Sequence, residues 1–196
     1  MTRLLDVVIA LICIIVFSPV FIWLAIWIKL DSAGTVFYKQ KRVGRNGIEF
    51  WLYKFRSMKV GADKSSLLTY SDSDNRITRS GKFIRKFKLD ELPQLFNVLT
   101  GTMSMVGPRP EVKKYVDLYT EEQRKVLTVR PGITDNASIV YYNENNILEK
   151  QQDPENYYIN SILPDKIKLN RLYIDNPSVL NYLRILFLTL ETAIKK

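Results

Sequence analysis

Residues 7–28 read VVIALICIIVFSPVFIWLAIWI, and all of them are apolar except Ser18 and Pro19. At helical rise this stretch reaches about 33 Å, which matches the hydrocarbon thickness of a bilayer. It is longer than the apolar core of a signal peptide and no small-residue cleavage site follows it, so we expect it to be retained. The chain therefore divides into a membrane-embedded segment, residues 1–30, and a second part, residues 31–196.

The apolar segment has two courses open to it. A transmembrane helix kinked by proline is one, and a re-entrant hairpin that enters and leaves by the same membrane face is the other. Pro19 lies near the centre, where it removes a backbone hydrogen bond and bends a helix. The hydroxyl of Ser18 can bond to backbone groups freed at such a break. Both courses remain open from these residues alone.

The charge of the chain is concentrated directly after this segment. The net charge is +9, and residues 31–90 hold fourteen Lys and Arg against six Asp and Glu, whereas residues 91–196 hold thirteen of each. Positive residues close to a membrane segment favour the cytoplasmic side, so we expect residues 31–196 in the cytoplasm. A local basic block also predicts an anionic partner, which could be nucleic acid, anionic lipid or a phosphate-rich substrate.

The composition excludes several kinds of chemistry. The chain has no histidine and one cysteine, Cys13. A Ser-His-Asp triad, a Cys-His pair, a histidine-liganded zinc and an intrachain disulfide are therefore all impossible. An enzyme with this composition must use carboxylates, lysine, arginine, hydroxyls or an oxygen-bound cation.

The part after the apolar segment is predicted to be one α/β domain. Strands are expected at 36–38 and 48–53 around the turn Asn46-Gly47, and a short strand at 137–142. Helices are expected at 78–88, from about 90 to 101, after a capping box at 120–123, and at 179–194. We expect the apolar stripe of the last helix to pack on the core, with the membrane surface as the alternative. Residues 61–76 are predicted to form a polar loop.

Asp90 and Glu91 are the strongest candidates for chemistry. Acids at a helix start are also ordinary caps, because the helix dipole and free N–H groups favour them. In the functional interpretation Asp90 attacks phosphorus as a nucleophile, while Glu91 binds a divalent cation that screens phosphate charge. Arg109 lies between two prolines that restrict its backbone, and its guanidinium suits bidentate phosphate binding, although a surface arginine would look the same. Weaker phosphate-binding candidates are Arg85, Lys54 and Arg56.

Six segments occur in an order that resembles one family. They are KQKRVG at 39–44, FWLYKFRSM at 50–58, GKFIR at 81–85, LDELPQLFNVL at 89–99, MVGPRP at 105–110 and RPGIT at 130–134. This ordered set, together with Ser18-Pro19, resembles the small monotopic phosphoglycosyl transferases, also called bacterial sugar transferases. The resemblance covers essentially the whole chain.

The resemblance implies a reaction and roles for individual residues. Such enzymes transfer a phospho-sugar from a UDP-sugar to undecaprenyl or another polyprenyl phosphate and release UMP, which is the first membrane step of bacterial glycan assembly. They depend on Mg²⁺ and form a covalent phosphosugar–aspartyl enzyme. By motif match Asp90 would be the nucleophile, Glu91 the metal-binding residue, and Arg85 and Arg109 phosphate ligands.

The resemblance also implies an architecture. Ser18-Pro19 would break a re-entrant membrane helix. The α/β domain would carry a β-hairpin and several amphipathic interfacial helices seated on the cytoplasmic leaflet of the bacterial inner membrane. Whether the chain forms a homodimer stays open.

The sequence departs from the family pattern at two places. Many members continue after the RPGIT segment with a Gly-x-Ala-Gln-Val stretch, whereas this chain reads DNASI from Asp135. Asn170 stands where many members carry an acid. Both changes leave the sugar open. The alternative to an enzyme is a membrane-tethered basic protein that binds lipid or nucleic acid, or a scaffold; the absence of a recognised nucleic-acid module argues against nucleic acid as a partner.

Overall fold

The computed structural model describes residues 2–62 and 74–195, so most of the polar loop expected at 61–76 lies outside the described residues. The first half of the chain is built from three helices and a hairpin. They are α1 (Thr2–Asp31), β1 (Phe37–Val43), β2 (Glu49–Phe55), α2 (Arg79–Lys86) and α3 (Gln94–Thr100), with 3₁₀ turns at Arg45–Gly47 and Leu89–Glu91. β1 and β2 are antiparallel.

The second half is mostly helical. It contains β3 (Ser104–Val106), α4 (Lys113–Val116), a 3₁₀ helix (Gln123–Thr128), β4 (Gly132–Thr134), α5 (Asn136–Val140), α6 (Glu144–Leu148), α7 (Pro154–Tyr157), a π-helix (Tyr158–Ile162), α8 (Leu163–Asp175) and α9 (Val179–Ile194). β3 pairs with β4 in parallel. The mixture of helix and sheet agrees with the expected α/β class.

Several local predictions are confirmed by their cap geometry. The Thr78 hydroxyl accepts a hydrogen bond of 3.0 Å from Gly81 N at the start of α2. Gly101 ends α3 in the left-handed conformation, with φ of 85°, as helix-ending glycines commonly do. Thr120 and Gln123 exchange the two hydrogen bonds of a capping box. This box opens a 3₁₀ helix, however, and the acids at 90 and 91 lie in a separate 3₁₀ turn rather than in the helix expected to begin there.

The strand expected at 137–142 is wrong, because this segment forms α5. The carboxylate of Asp135 accepts a hydrogen bond of 2.5 Å from Ser138 N and caps the helix. A capped backbone thus outweighs the β-branched residues that suggested a strand. The expectation for α9 also needs correction. Its stripe of Leu180, Leu183, Phe187, Leu190 and Ile194 is exposed, and α9 instead buries Tyr182 and Ile185.

One face of α1 packs against the rest of the chain at both ends and also in the middle, through Ala10 and Cys13, whereas the other face of the middle is exposed. Near the start, Arg3 donates to Val98 O at 2.7 Å, and the buried carboxylate of Asp6 accepts from Ser104 Oγ at 2.8 Å. Near the end, Leu24 and Ile28 are fully buried in a cluster with Phe55 and Ile84. The exposed apolar residues between these ends include Leu11, Ile12, Ile15, Val16, Phe17 and Ile22.

By length and composition α1 could cross a membrane, and only 11% of its most apolar window is buried. A core helix of a soluble protein would be mostly buried. The helix is continuous through Pro19, which lacks the N–H that would bond Ile15 O. The Ser18 hydroxyl donates to that oxygen at 2.8 Å. Ser18 thus bonds a backbone oxygen that proline leaves free. The role of Ser18-Pro19 as the break of a re-entrant helix stays a prediction, since α1 is a single helix here.

Candidate active site

The two candidate carboxylates are held beside the hairpin by Asn97 of α3. The side chain of Asn97 accepts a hydrogen bond from Tyr53 N at 3.0 Å and donates one to Trp51 O at 2.8 Å. It therefore bonds the free backbone groups at the edge of β2, as a neighbouring strand would. Lys88, in the left-handed conformation with φ of 55°, turns the chain into the 3₁₀ turn that carries Asp90 and Glu91. The bonds of Asn97 to β2 and the turn at Lys88 together place Asp90 and Glu91 next to Lys54 of β2.

Four predicted site residues form one charged cluster. Lys54 Nζ lies 3.0 Å from Glu91 Oε1 and 3.7 Å from Asp90 Oδ2. The guanidinium of Arg109 reaches both oxygens of Glu91, at 3.1 Å between Nη1 and Oε2 and through a second bond to Oε1. Asp90 is buried, so the cluster places an enclosed carboxylate next to two cations.

The two carboxylates differ in how readily they ionise. Burial raises the pKa of Asp90, and the charge of Lys54 opposes the shift only in part. Burial also acts on Glu91, but the charges of Arg109 and Lys54 outweigh it and hold the pKa of Glu91 well below its usual range. Glu91 is therefore the permanent anion, and Asp90 is the carboxylate whose ionisation is costly. A buried carboxylate that is weakly solvated suits a nucleophile.

Arg109 is anchored through its backbone as well as through Glu91. Its N–H donates to Asp135 Oδ2 at 2.8 Å, and the side-chain amide of Asn170 donates to the same oxygen at 2.8 Å. Asp135 is 2% exposed, so its charge is satisfied by these donors and by Ser138 N. Asp135 and Asn170, which lie where the sequence is expected to depart from the family pattern, therefore contact each other directly behind Arg109.

The other two predicted phosphate ligands differ. Arg85, in the last turn of α2, is close enough to Asp90 for its charge to lower the pKa of that carboxyl. Arg56 is buried and its guanidinium donates to Ala33 O, Ile28 O and Ser32 O at the end of α1. Arg85 therefore acts on Asp90 through its charge, whereas the guanidinium of Arg56 is bound at the end of α1.

The sequence did not single out two residues that line the same cleft. Arg42, Leu52, Lys54, Gln94, Arg109 and Pro110 surround it. In the hairpin Arg42 pairs with Phe50, and Tyr38 pairs with Lys54. Paired residues and alternate residues of a strand lie on the same face of a sheet, so positions 38, 40, 42, 50, 52 and 54 share one face. Arg42 and Lys54 are therefore on the same side of the hairpin. Arg42 and Gln94 both lie in segments that resemble the family, at 39–44 and 89–99, but the motifs gave neither of them a role. The register of the hairpin is the signal that indicates Arg42.

The carboxylates fit one kind of metal site. Among residues 2–62 and 74–195, no three acidic or cysteine side chains converge as a metal cage would need. Mg²⁺ in phosphoryl-transfer sites is held by one or two carboxylates together with substrate phosphates and water, and Asp90 and Glu91 supply that number. The donor set therefore fits a cation that arrives with a phosphorylated substrate.

Comparison with known proteins identifies the class. A sequence model of the bacterial sugar transferase family matches residues 1–196, so the chain belongs to that family. This agrees with the resemblance found in its motifs.

Three relatives show the range of the family. The chain is 44% identical over 142 residues to the UDP-N-acetylgalactosamine-undecaprenyl-phosphate N-acetylgalactosaminephosphotransferase of Aeromonas hydrophila, covering 71% of this chain and 34% of the relative. It is 37% identical to the galactosyl transferase CpsE of Streptococcus agalactiae, covering 98% and 42%. It is 36% identical to the UDP-glucose:undecaprenyl-phosphate glucose-1-phosphate transferase of Escherichia coli, covering 94% and 38%. The chain thus spans well under half the length of these relatives.

Proposed function

We propose that this protein transfers a sugar 1-phosphate from a UDP-sugar to undecaprenyl phosphate or another polyprenyl phosphate and releases UMP. The observation that carries the proposal is the cluster of Asp90 and Glu91 with Lys54 and Arg109, in which one carboxylate is buried and the other is bound by both cations. Relatives named for this reaction with different sugars support it.

The reaction proceeds in two displacements at one phosphorus. A carboxylate oxygen of Asp90 forms a bond to the β-phosphorus of the UDP-sugar, and the bond from that phosphorus to the bridging oxygen breaks, so UMP leaves with the electron pair. An oxygen of the polyprenyl phosphate then attacks the same phosphorus, and the Asp90 carboxylate is released. No water or external proton donor enters the balance, which suits a chain without histidine.

The cations supply the charge neutralisation that phosphoryl transfer needs. Lys54 lies between the two carboxylates, and Arg109 is fixed at its backbone and its guanidinium, so both are positioned before substrate arrives. Glu91 would hold Mg²⁺ together with phosphate oxygens, and the ion would add positive charge to the transferring group. Arg85 would contribute further charge near Asp90.

The second part of the proposal is a re-entrant course for residues 1–30, with residues 31–196 on the cytoplasmic leaflet. The contacts at both ends of α1 support it, because a spanning helix would carry Arg3 and Asp6 to the opposite side from Ile28. The exposed stripe of α9 supports an interfacial position. An aromatic cluster between α1 and α2, formed by Trp23, Trp27 and Phe83, resembles the aromatic belts at membrane interfaces.

The test is release of UMP by purified protein with undecaprenyl phosphate, Mg²⁺ and a panel of UDP-N-acetylgalactosamine, UDP-glucose and UDP-galactose. We expect UMP release with at least one donor, complete loss on Asp90→Asn, and loss on adding EDTA that excess Mg²⁺ restores. A folded protein that turns over none of a wider donor panel would instead favour a scaffold.

A further inference from the structure

Gln94 carries a buried amide nitrogen that has no hydrogen-bond partner. The residue is 2% exposed, and its Nε2 is among the few buried side-chain atoms left unpaired in the described part of the chain. An unpaired buried polar group destabilises the folded protein, so proteins rarely keep one without a use. The amide is therefore free to bind a group that the protein itself does not supply.

The position of Gln94 indicates what that group is. Gln94 lines the cleft together with Lys54 and Arg109, the cations that hold Glu91, and with Arg42. Arg42 is fixed by hydrogen bonds to Pro110 O at 3.0 Å and to Gln40 Oε1 at 2.8 Å, and by an ion pair with Glu111 at 3.4 Å. An amide N–H donor among three cations selects a ligand rich in anionic oxygen acceptors.

We propose that Gln94 and Arg42 form the subsite for the phosphate that remains on UMP, which is the α-phosphate of the donor. This rests on the proposed function. In an in-line displacement the leaving oxygen lies opposite the attacking one, so the leaving phosphate needs its own contacts beyond those around the transferred group. Lys54 and Arg109 contact the carboxylates, and both line the same cleft as Gln94 and Arg42.

The distinguishing variant is Gln94→Leu, which has similar size and lacks the amide. Because the amide nitrogen has no partner within the protein, its removal is expected to leave the melting temperature unchanged or raised. UMP binding, measured by isothermal titration calorimetry, is expected to weaken about tenfold, which corresponds to one hydrogen bond to a charged group.

The Arg42→Gln variant is expected to weaken UMP binding at least as much. Lys41→Gln is the matched control, because Lys41 is exposed on the other face of the hairpin.

Uridine serves as the second probe, since it lacks the phosphate. Its binding is expected to be equal in the wild type, Gln94→Leu and Arg42→Gln. Equal UMP affinity for Gln94→Leu and the wild type would overturn the proposal, and so would an equal loss of uridine and UMP binding. Sugar transfer with an unchanged KM for the UDP-sugar in Gln94→Leu overturns the subsite alone. Absence of transfer with every donor, despite UMP binding, overturns the proposed function instead.

Discussion

Asn170 donates a hydrogen bond of 2.8 Å to the buried carboxylate of Asp135. The sequence is expected to depart from the family pattern at Asn170 and in the stretch that begins at Asp135. The same carboxylate oxygen accepts the backbone N–H of Arg109 at 2.8 Å. One carboxylate and one amide therefore share the space behind Arg109. Two carboxylates placed there would repel each other in a site closed to water.

The first prediction concerns this pair. Asn170→Asp is expected to destabilise the protein at pH 7.5 and to recover stability as the pH falls, because the two acids can then share a proton. Asp135→Gly is expected to lower kcat, because the N–H of Arg109 loses its acceptor. The double variant carries the residues of the expected family pattern at both positions. Its loss of stability relative to the wild type is expected to be smaller than the sum of the losses in the two single variants. Thermal melts at pH 5 and 7.5 measure the coupling, and additive effects would contradict it.

The second prediction concerns the pH dependence of transfer. Asp90 acts as an anion, and the charge of Lys54 is the leading influence that lowers its pKa against burial. Lys54→Gln is therefore expected to raise the pKa of Asp90 further and to move the acidic limb of the kcat/KM profile to higher pH. Lys39→Gln, on the exposed face of the hairpin, is the charge-matched control and should leave the limb in place. A limb that does not move in Lys54→Gln would argue against Asp90 as the titrating group.

The third prediction concerns stability at the nucleophile. The pKa of Asp90 is higher in the folded protein than in the unfolded chain, so ionising Asp90 lowers the free energy of unfolding. The stability that protonated Asp90 contributes is fully present below its unfolded pKa and is lost as the pH rises through its folded pKa. Asp90→Asn is therefore expected to be inactive yet more stable than the wild type at pH 7.5. The difference in stability between Asp90→Asn and the wild type should shrink as the pH falls toward about 4, the pKa of an aspartate in an unfolded chain. Denaturant melts across this range measure it, and a less stable Asp90→Asn at pH 7.5 would be the contrary result.

The fourth prediction concerns the start of α1. The carboxylate of Asp6 binds Ser104 Oγ, Met105 N and the hydroxyl of Tyr182, so it holds the start of the apolar helix against the domain. Asp6→Leu is expected to release this end and to let the helix span the membrane. A cysteine introduced as Thr2→Cys in a Cys13→Ser background reports the side by labelling with an impermeant maleimide.

In the parent protein the label at position 2 is expected only in inside-out vesicles, and in Asp6→Leu it should appear in right-side-out ones. Asp6→Asn keeps an acceptor oxygen and serves as the graded control. Labelling of the parent from the right-side-out face would contradict the re-entrant course.

The sequence predicts best where a local rule acts alone. The apolar helix, the hairpin around Asn46-Gly47, the helix expected from residue 78 and the Gly101 stop each depend on neighbouring residues, and the structure confirms them. The segment after Asp135 was mistaken for a strand because a single cap decides it. The parallel pair of β3 and β4 has three residues in each strand, too few for a periodic pattern.

The candidate site also combines residues that the sequence indicates with residues that only the folded structure indicates. Motifs identified Asp90, Glu91 and Arg109, Lys54 was a weaker candidate near the end of the hairpin, and the structure brings the four together. Arg56 was expected beside them because of its position near the hairpin end, yet it binds the carbonyls at the end of α1. Gln94 lies in the segment at 89–99, but the sequence assigned it no role, because only the packed structure reveals that its buried amide nitrogen has no partner.

The central claim is that Asp90 becomes covalently bound to the phospho-sugar. The most direct measurement is intact-protein mass spectrometry after incubation with the UDP-sugar and Mg²⁺ in the absence of acceptor lipid, with UMP measured in the same sample. The expected result is a mass increase of one sugar phosphate that maps to Asp90, about one UMP per enzyme, loss of the adduct on adding undecaprenyl phosphate, and no adduct with Asp90→Asn. Turnover without any adduct, with UMP released only when the acceptor is present, or an adduct that persists in Asp90→Asn, would contradict it.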